Sequence, residues 1–187
     1  MAKKVFVFLT DGFEEVEALS VVDFLRRAGA ELTTVSISES KTVTGSHNIP
    51  VIADSLIKDI DADSACCIVL PGGPGAAKLA ACAPLDKIIR DFESAEKLIC
   101  AICAAPSVVL GTKGLLSGRT YTCYPGTEAQ VRCESGCANW TPEMVVADGN
   151  LITGRGPGAA LKFSLRIIEA LFGKERATEI AEQTLTA

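Results

Sequence analysis

Short apolar runs alternate with longer stretches of helical periodicity along this chain. Val5-Phe6-Val7-Phe8-Leu9 contains no polar residue, as a strand buried on both faces requires. Ala18, Val21, Val22, Leu25 and Ala28 then recur at helical spacing, and Gly29 closes that helix. Asp11 is placed to cap it, with Glu14 completing a capping box. Residues 31–37, 50–53 and 66–70 read as further strands, the last closed by Pro71-Gly72-Gly73. Pro84 opens a helix running to about Phe92, and residues 98–102 form another apolar strand. Short strands follow near 120–122, 144–146 and 150–153. Pro157 opens a long helix to Leu171, and residues 174–182 form a short terminal one. This order predicts an α/β fold with a mostly parallel sheet covered by helices on both faces. In such sheets the active site lies at the carboxyl ends of the strands. No repeat, low-complexity tract or linker divides residues 1–187, which read as a single domain.

The string Leu98-Ile99-Cys100-Ala101-Ile102-Cys103-Ala104-Ala105-Pro106 breaks an apolar run at one cysteine and then resumes as helix. That reads as strand, one-residue turn and helix, with Cys103 raised on a nucleophile elbow in strained backbone. Ala101 and Ala105 supply the small residues that close strand–helix packing needs. A thiol at a helix N-terminus is expected to have a lowered pKa. The plainer alternative is one more buried, inert cysteine.

Three loops should meet Cys103 at the sheet edge: residues 11–17, residues 71–75 and the elbow itself. The glycines can bring backbone N–H groups close to a ligand, although glycine-rich loops are also ordinary tight turns. No Gly-Lys-Ser/Thr follows, which excludes a phosphate loop. Glu14 and Glu15 suit a helix start electrostatically. Glu17 lies beside the apolar stripe and one turn beyond Glu14, so its carboxyl is expected to point toward the sheet edge with a raised pKa.

Composition narrows the function classes. A net charge of −5 without any Lys/Arg cluster argues against a nucleic-acid surface. No apolar run approaches the ~20 residues of a membrane span, and no signal peptide pattern is present, so a cytoplasmic protein is expected. Most of the eight cysteines sit in apolar runs or beside small residues, which favours reduced thiols over a disulfide scaffold. Cys133 and Cys137 are a single pair at zinc-like spacing with no histidine near them, so no metal is expected.

Five short motifs in order carry a resemblance: Asp11-Gly12-Phe13-Glu14-Glu15-Val16-Glu17, Val22-Asp23-Phe24-Leu25-Arg26-Arg27-Ala28-Gly29, Leu70-Pro71-Gly72-Gly73, Ala101-Ile102-Cys103-Ala104-Ala105-Pro106 and Gly154-Arg155-Gly156-Pro157-Gly158. Over nearly its whole length the chain resembles the ThiJ/PfpI superfamily, in the clade of the parkinsonism-associated protein deglycase and bacterial YajL. The resemblance implies a flavodoxin-like three-layer sandwich, a class I glutamine amidotransferase-like domain and a homodimer. It puts the nucleophile on Cys103, its acidic partner on Glu17 and the oxyanion hole on Gly73 and Ala104. Gly72, Glu14, Tyr124, Arg155 and Pro157 become supporting or site-lining residues. Glu15, Asp23, Arg27 and His47 fall at the dimer interface, with Asp23 expected to pair with an arginine of the other subunit. Tyr124 stands where some members carry a histidine, and Ala104 follows the nucleophile where the protease branch has one. The only histidine, His47, reads as a surface-loop or dimer-edge residue.

The implied activity is that of a cofactor-independent glyoxalase or deglycase acting on methylglyoxal, glyoxal or their adducts. A redox-sensing or chaperone-like stress protein, whose cysteine oxidises to sulfinate, uses the same residues. An intracellular cysteine peptidase lacks its histidine.

Overall fold

A computed structural model describes residues 3–133 and 136–186. Strand β1 (Lys4–Leu9) leads into helix α1 (Glu15–Ala28) and β2 (Glu31–Ser36). A small hairpin, β3 (Thr42–Thr44) with β4 (Pro50–Ile52), precedes the two-residue β5 (Ser55–Leu56) and β6 (Cys67–Leu70). Helices α2 (Ala76–Ala81) and α3 (Ala83–Ser94) lead to β7 (Leu98–Ile102). After Cys103 come β8 (Thr120–Tyr121), β9 (Asn139–Trp140), β10 (Val145–Asp148) and β11 (Leu151–Gly154), then α4 (Ala160–Phe172) and α5 (Lys174–Gln183).

Seven strands form the central sheet in the order β10-β11-β7-β6-β1-β2-β5, parallel throughout except for the β10–β11 hairpin. The apolar run at residues 5–9 of β1 follows from its central place, where successive side chains enter different cores. Val5, Val7 and Leu9 join Ala18, Val21 and Leu25 of α1 and Phe163 and Ile167 of α4. Phe6 and Phe8 join Leu79 of α2 and Leu85, Ile89 and Phe92 of α3. The result is a flavodoxin-like sandwich of sheet between two helical layers.

Two details differ from the sequence expectation. The capping box does not form: Glu14 is the N-cap of α1 but makes no side-chain cap bond. Asp11 Oδ1 instead accepts the Thr44 N–H at 2.8 Å, tying the loop after β1 to the hairpin. Glu14 is likewise drawn to the hairpin, where the Ser46 hydroxyl donates to it. At the other end of the chain, Pro157 opens a 3-10 turn, Pro157–Ala159, and the long helix begins only at Ala160.

Candidate active site

Cys103 has φ +64°, a left-handed conformation that costs a non-glycine residue on the order of 1–3 kcal/mol and persists only where the surroundings enforce it. They do: its N–H donates to the Gly154 carbonyl at 2.9 Å, and its carbonyl accepts the Tyr124 N–H at 2.7 Å. These bonds lock the elbow to β11 on one side and to the segment after β8 on the other. The helix expected beyond it is a single π turn, Pro106–Leu110, followed by a 3-10 turn.

Glu17 is fully buried on the first turn of α1, facing the sheet edge. Its Oε2 accepts the Gly72 N–H at 2.8 Å, while Oε1 has no hydrogen-bond partner. Burial pushes this carboxyl up to about 7; the Cys103 thiol and the Gly72 N–H pull it down, and the charge of Glu14 adds to the rise. The lowered thiol pKa expected from the helix terminus is not found. Burial first, then the charge of Glu17 and the thiol's hydrogen bond to it, push Cys103 up to about 12. The N–H groups of Gly73 and Ala104 reach the sulfur and act in the other direction, but one short turn of helix and two amides do not outweigh a buried carboxylate.

The loop at 71–75 comes this close only because it carries no Cβ. A methyl on Gly72 would lie 2.6 Å from Cys103 Cβ and 2.8 Å from Glu17 Oε2. At Gly73, with φ +85°, it would lie 2.5 Å from the Gly12 carbonyl and 2.7 Å from the Glu14 nitrogen. Backbone bonds join the two loops directly, from Glu14 N–H to Gly72 O at 3.1 Å and from Gly75 N–H to Gly12 O at 2.8 Å. The three segments singled out in the sequence therefore meet around one sulfur atom.

Glu15 points away from that sulfur into the β3–β4 hairpin. Its Oε1 accepts the His47 N–H at 2.8 Å, and its Oε2 lies 2.8 Å from His47 Nδ1 and accepts the Ser46 hydroxyl at 3.2 Å. Burial raises the Glu15 pKa, but these bonds and its own backbone amide together outweigh burial and hold it at about 2. Among the described residues, Glu14, Glu15 and His47 are the one set of three potential metal donors within 4.8 Å of one another. The near nitrogen of His47 is committed to Glu15, so the set is an ion-pair cluster. Ser46, which bridges both glutamates, escaped sequence reasoning because a serine in a short hairpin turn carries no distinguishing pattern.

Tyr124, Arg155 and Pro157 gather beside the elbow, lining a shallow cavity of about 210 Å³ with Met144. Tyr124 is half exposed, its ring against Gly156, while Arg155 Nη1 donates to the Pro142 carbonyl at 2.6 Å. A larger cavity, about 710 Å³, lies at the amino ends of β7 and β11, remote from Cys103. Its Arg119, Glu93 and Asn150 are spent on one another, which makes it a tie between strands. Asp23 pairs with Arg27 of its own helix at 2.8 Å. All eight cysteines are free, and Cys133 and Cys137 are both exposed.

A sheet of this topology, with an elbow cysteine facing a buried glutamate across a Gly-Gly loop, defines a class within the flavodoxin-like folds. The model of the DJ-1/PfpI family matches residues 3–170, and the chain belongs to that family. Protein DJ-1 homolog B of Arabidopsis thaliana is 39% identical over 180 residues, covering 96% of this chain and 40% of that protein. The chain thus spans about two fifths of the length of that plant relative. A glutathione-independent glyoxalase of Caenorhabditis elegans, DJR-1.2, is 30% identical over 167 residues, 89% of this chain and 87% of the other. Among solved structures, oxidized DJ-1 of Toxoplasma gondii superposes with a TM-score of 0.91 at 37% identity, covering 98% of each chain. No helix among the described residues is long and apolar enough to cross a membrane.

Proposed function

We propose that this protein is a cofactor-independent glyoxalase of the DJ-1/PfpI family that converts methylglyoxal to lactate and glyoxal to glycolate through Cys103. The observation that carries the reading is the Cys103–Glu17 pair: a thiol on a strained elbow against a carboxyl poised at about 7, with one of its oxygens unpartnered. A general acid–base group works best with a pKa near the operating pH. The relative named as a glutathione-independent glyoxalase supports the same chemistry.

The pair loses its first proton near neutrality, and the thiolate form of the pair, with the proton on Glu17, attacks the substrate aldehyde. Carbon–sulfur bond formation gives a hemithioacetal oxyanion, which Gly73 and Ala104 N–H groups stabilise and Glu17 protonates. The Glu17 carboxylate then removes the hydrogen from the carbon bearing sulfur, giving an enediol, and returns a proton to the neighbouring carbon. This moves the oxidation level within the substrate, leaves a thioester on Cys103 and needs no external oxidant. Water cleaves the thioester, releasing the 2-hydroxy acid and the thiol. The same steps on early adducts of Cys, Lys and Arg side chains would constitute deglycation. Tyr124, Arg155 and Pro157, which line the cavity beside the elbow, would contact the part of a substrate that extends beyond it.

A redox role is the second reading, favoured by one observation: the donors around the sulfur, Gly73 N–H, Ala104 N–H and protonated Glu17, would equally bind sulfinate oxygens. A peptidase dyad has no such support, since His47 contacts Glu15, Glu14 and Ser46 on the hairpin. The family resemblance further supports a homodimer, and eight free thiols suit a reducing compartment such as the cytoplasm. Turnover of methylglyoxal and glyoxal by wild type and Cys103→Ser tests the proposal: loss of turnover in the variant is expected, and equal turnover in both proteins would refute it.

A further inference from the structure

His47 takes no part in the reaction above, yet it is the chain's only histidine and faces the two carboxylates that open α1. Its Nδ1 lies 2.8 Å from Glu15 Oε2 and 3.6 Å from Glu14 Oε1. The turn that carries it is fixed by backbone, with Ser46 N–H donating to the Phe13 carbonyl at 2.8 Å and Asn48 in a left-handed conformation. The Ser46 hydroxyl donates to Glu14 Oε2 at 3.0 Å, so Glu14 is held toward the hairpin. Glu14 in turn is one helical turn from Glu17, and its N–H binds the carbonyl of Gly72, whose N–H holds Glu17. Charge can therefore pass its influence from the hairpin to the active site over two short steps.

The charged groups acting on the His47 ring are Glu15 and Glu14, and both favour its protonated form. Residues 42–52 of the hairpin include no other charged side chain, and Asp11, in the adjoining loop, accepts from Thr44. We propose that His47 is a positioning residue of the active site: its imidazolium, seated on Glu15, offsets the charge of Glu14 and so sets the pH at which the Glu17–Cys103 pair releases its proton. The sign follows from Coulomb's law. Glu14 alone makes Glu17 hold its proton more tightly, and a cation on Glu14 relaxes that hold. The proposal rests on Cys103 and Glu17 being the reactive pair, and not on the identity of the substrate.

The test is therefore alkylation of Cys103 by iodoacetamide against pH, read by peptide mass spectrometry, with no turnover assay involved. Wild type is compared with His47→Asn, His47→Arg, Glu14→Gln and the His47→Asn/Glu14→Gln double variant. His47→Asn keeps a hydrogen-bonding side chain and the backbone bond to Glu15 but loses the charge. Its alkylation curve should move up by about half a pH unit, making it roughly threefold slower at the wild-type midpoint, the size of a partly screened charge at this range. His47→Arg should restore the wild-type curve, and Glu14→Gln should move it down. In the Glu14→Gln background, His47→Asn should still move the curve up, because the contributions of separate charges add. Coincident curves for wild type and His47→Asn would overturn the role of His47, as would a shift that arginine fails to restore. A wild-type curve without a rise near neutrality would instead remove the pair on which the role depends.

Discussion

Cys103 and Glu17 hold their protons against each other: a carboxyl raised to about 7 lies beside a thiol raised to about 12. Burial is the first cause of both shifts; the charge of Glu17 and the thiol's hydrogen bond to it raise Cys103 further, while the same hydrogen bond holds Glu17 down. Two groups coupled in this way titrate as a unit, losing one proton near neutrality and the second only in strong base. After the first loss the remaining proton is shared between sulfur and oxygen. Loss of that first proton near neutrality, and not the helix terminus to which the sequence pointed, is then what would make the sulfur reactive.

Alkylation of Cys103 should therefore rise with pH through about 7. In Glu17→Gln that step should vanish, leaving a single rise at or above the ordinary thiol range, because burial of Cys103 persists. Cys67, whose pKa burial raises first and the adjacent Cys100 raises further, should stay unlabelled over the whole range. Iodoacetamide labelling with peptide mass spectrometry checks all three outcomes.

The two neighbouring glutamates should respond oppositely to pH. Glu17 has a folded pKa of about 7 against 4.5 unfolded, so the folded state binds more protons between those values and stability falls as pH rises through them. The full loss is about 3 kcal/mol by linkage, and Glu17→Gln should be more stable than wild type at pH above 7. Glu15, lowered to about 2, contributes stability that is present above 4.5 and lost as pH falls toward 2, so Glu15→Gln should be less stable at neutrality. Denaturant midpoints of the three proteins at mildly acid and mildly alkaline pH would show the crossing. Two variants shifted the same way at neutrality would contradict the assignment of the two environments.

Much of this arrangement is legible in the sequence, and the reasons are local. The continuous apolar run of β1, the Gly29 stop and the small residues flanking Cys103 each act through nearest neighbours, which is why sheet, helix and elbow could be placed. The loops at 11–17 and 71–75 were brought to Cys103 by a topological rule that parallel sheets share. Long-range partners were not legible. Asp11 looked like a cap because the chain does not show that Thr44, from the hairpin, offers it a competing N–H. The direction of the thiol shift failed although Glu17 was expected at the sheet edge with a raised pKa: a helix terminus is visible in the sequence, whereas how far burial of the thiol outweighs it is a tertiary fact.

Self-association should use the outer face of α1 and the neighbouring hairpin. Val16 and Leu19 of α1 and Ile49 and Ile52 of the hairpin are exposed large apolar side chains, with Ile52 75% accessible. Glu15, Asp23, Arg27 and His47, placed at an interface by the family resemblance, lie on the same two elements. An isologous contact would cover this face. Light scattering at micromolar concentration should give a dimer, and Ile52→Glu or Leu19→Glu should shift it toward monomer. A monomeric wild type would dismiss the interface.

Glu17→Gln separates the enzymatic reading from the redox one. Glutamine preserves the side-chain shape and can still accept the Gly72 N–H through its carbonyl oxygen, so the fold and the access to Cys103 should be kept. What it removes is the exchangeable proton, and with it both protonation of the hemithioacetal and the transfer between carbons. General acid–base catalysis typically contributes ~100- to 10,000-fold, and dicarbonyl turnover should fall by that order. Glu14→Gln in the same assay should lose far less, since Glu14 makes no cap bond and acts on the pair only through its charge. If the protein is chiefly a redox sensor, turnover will be low in wild type and variant alike. Glu17→Gln will then differ in how readily Cys103 gains the mass of two oxygens under peroxide. Measuring turnover and sulfinate formation on the same two proteins gives opposite patterns for the two roles, and near wild-type turnover in Glu17→Gln would take Glu17 out of the mechanism.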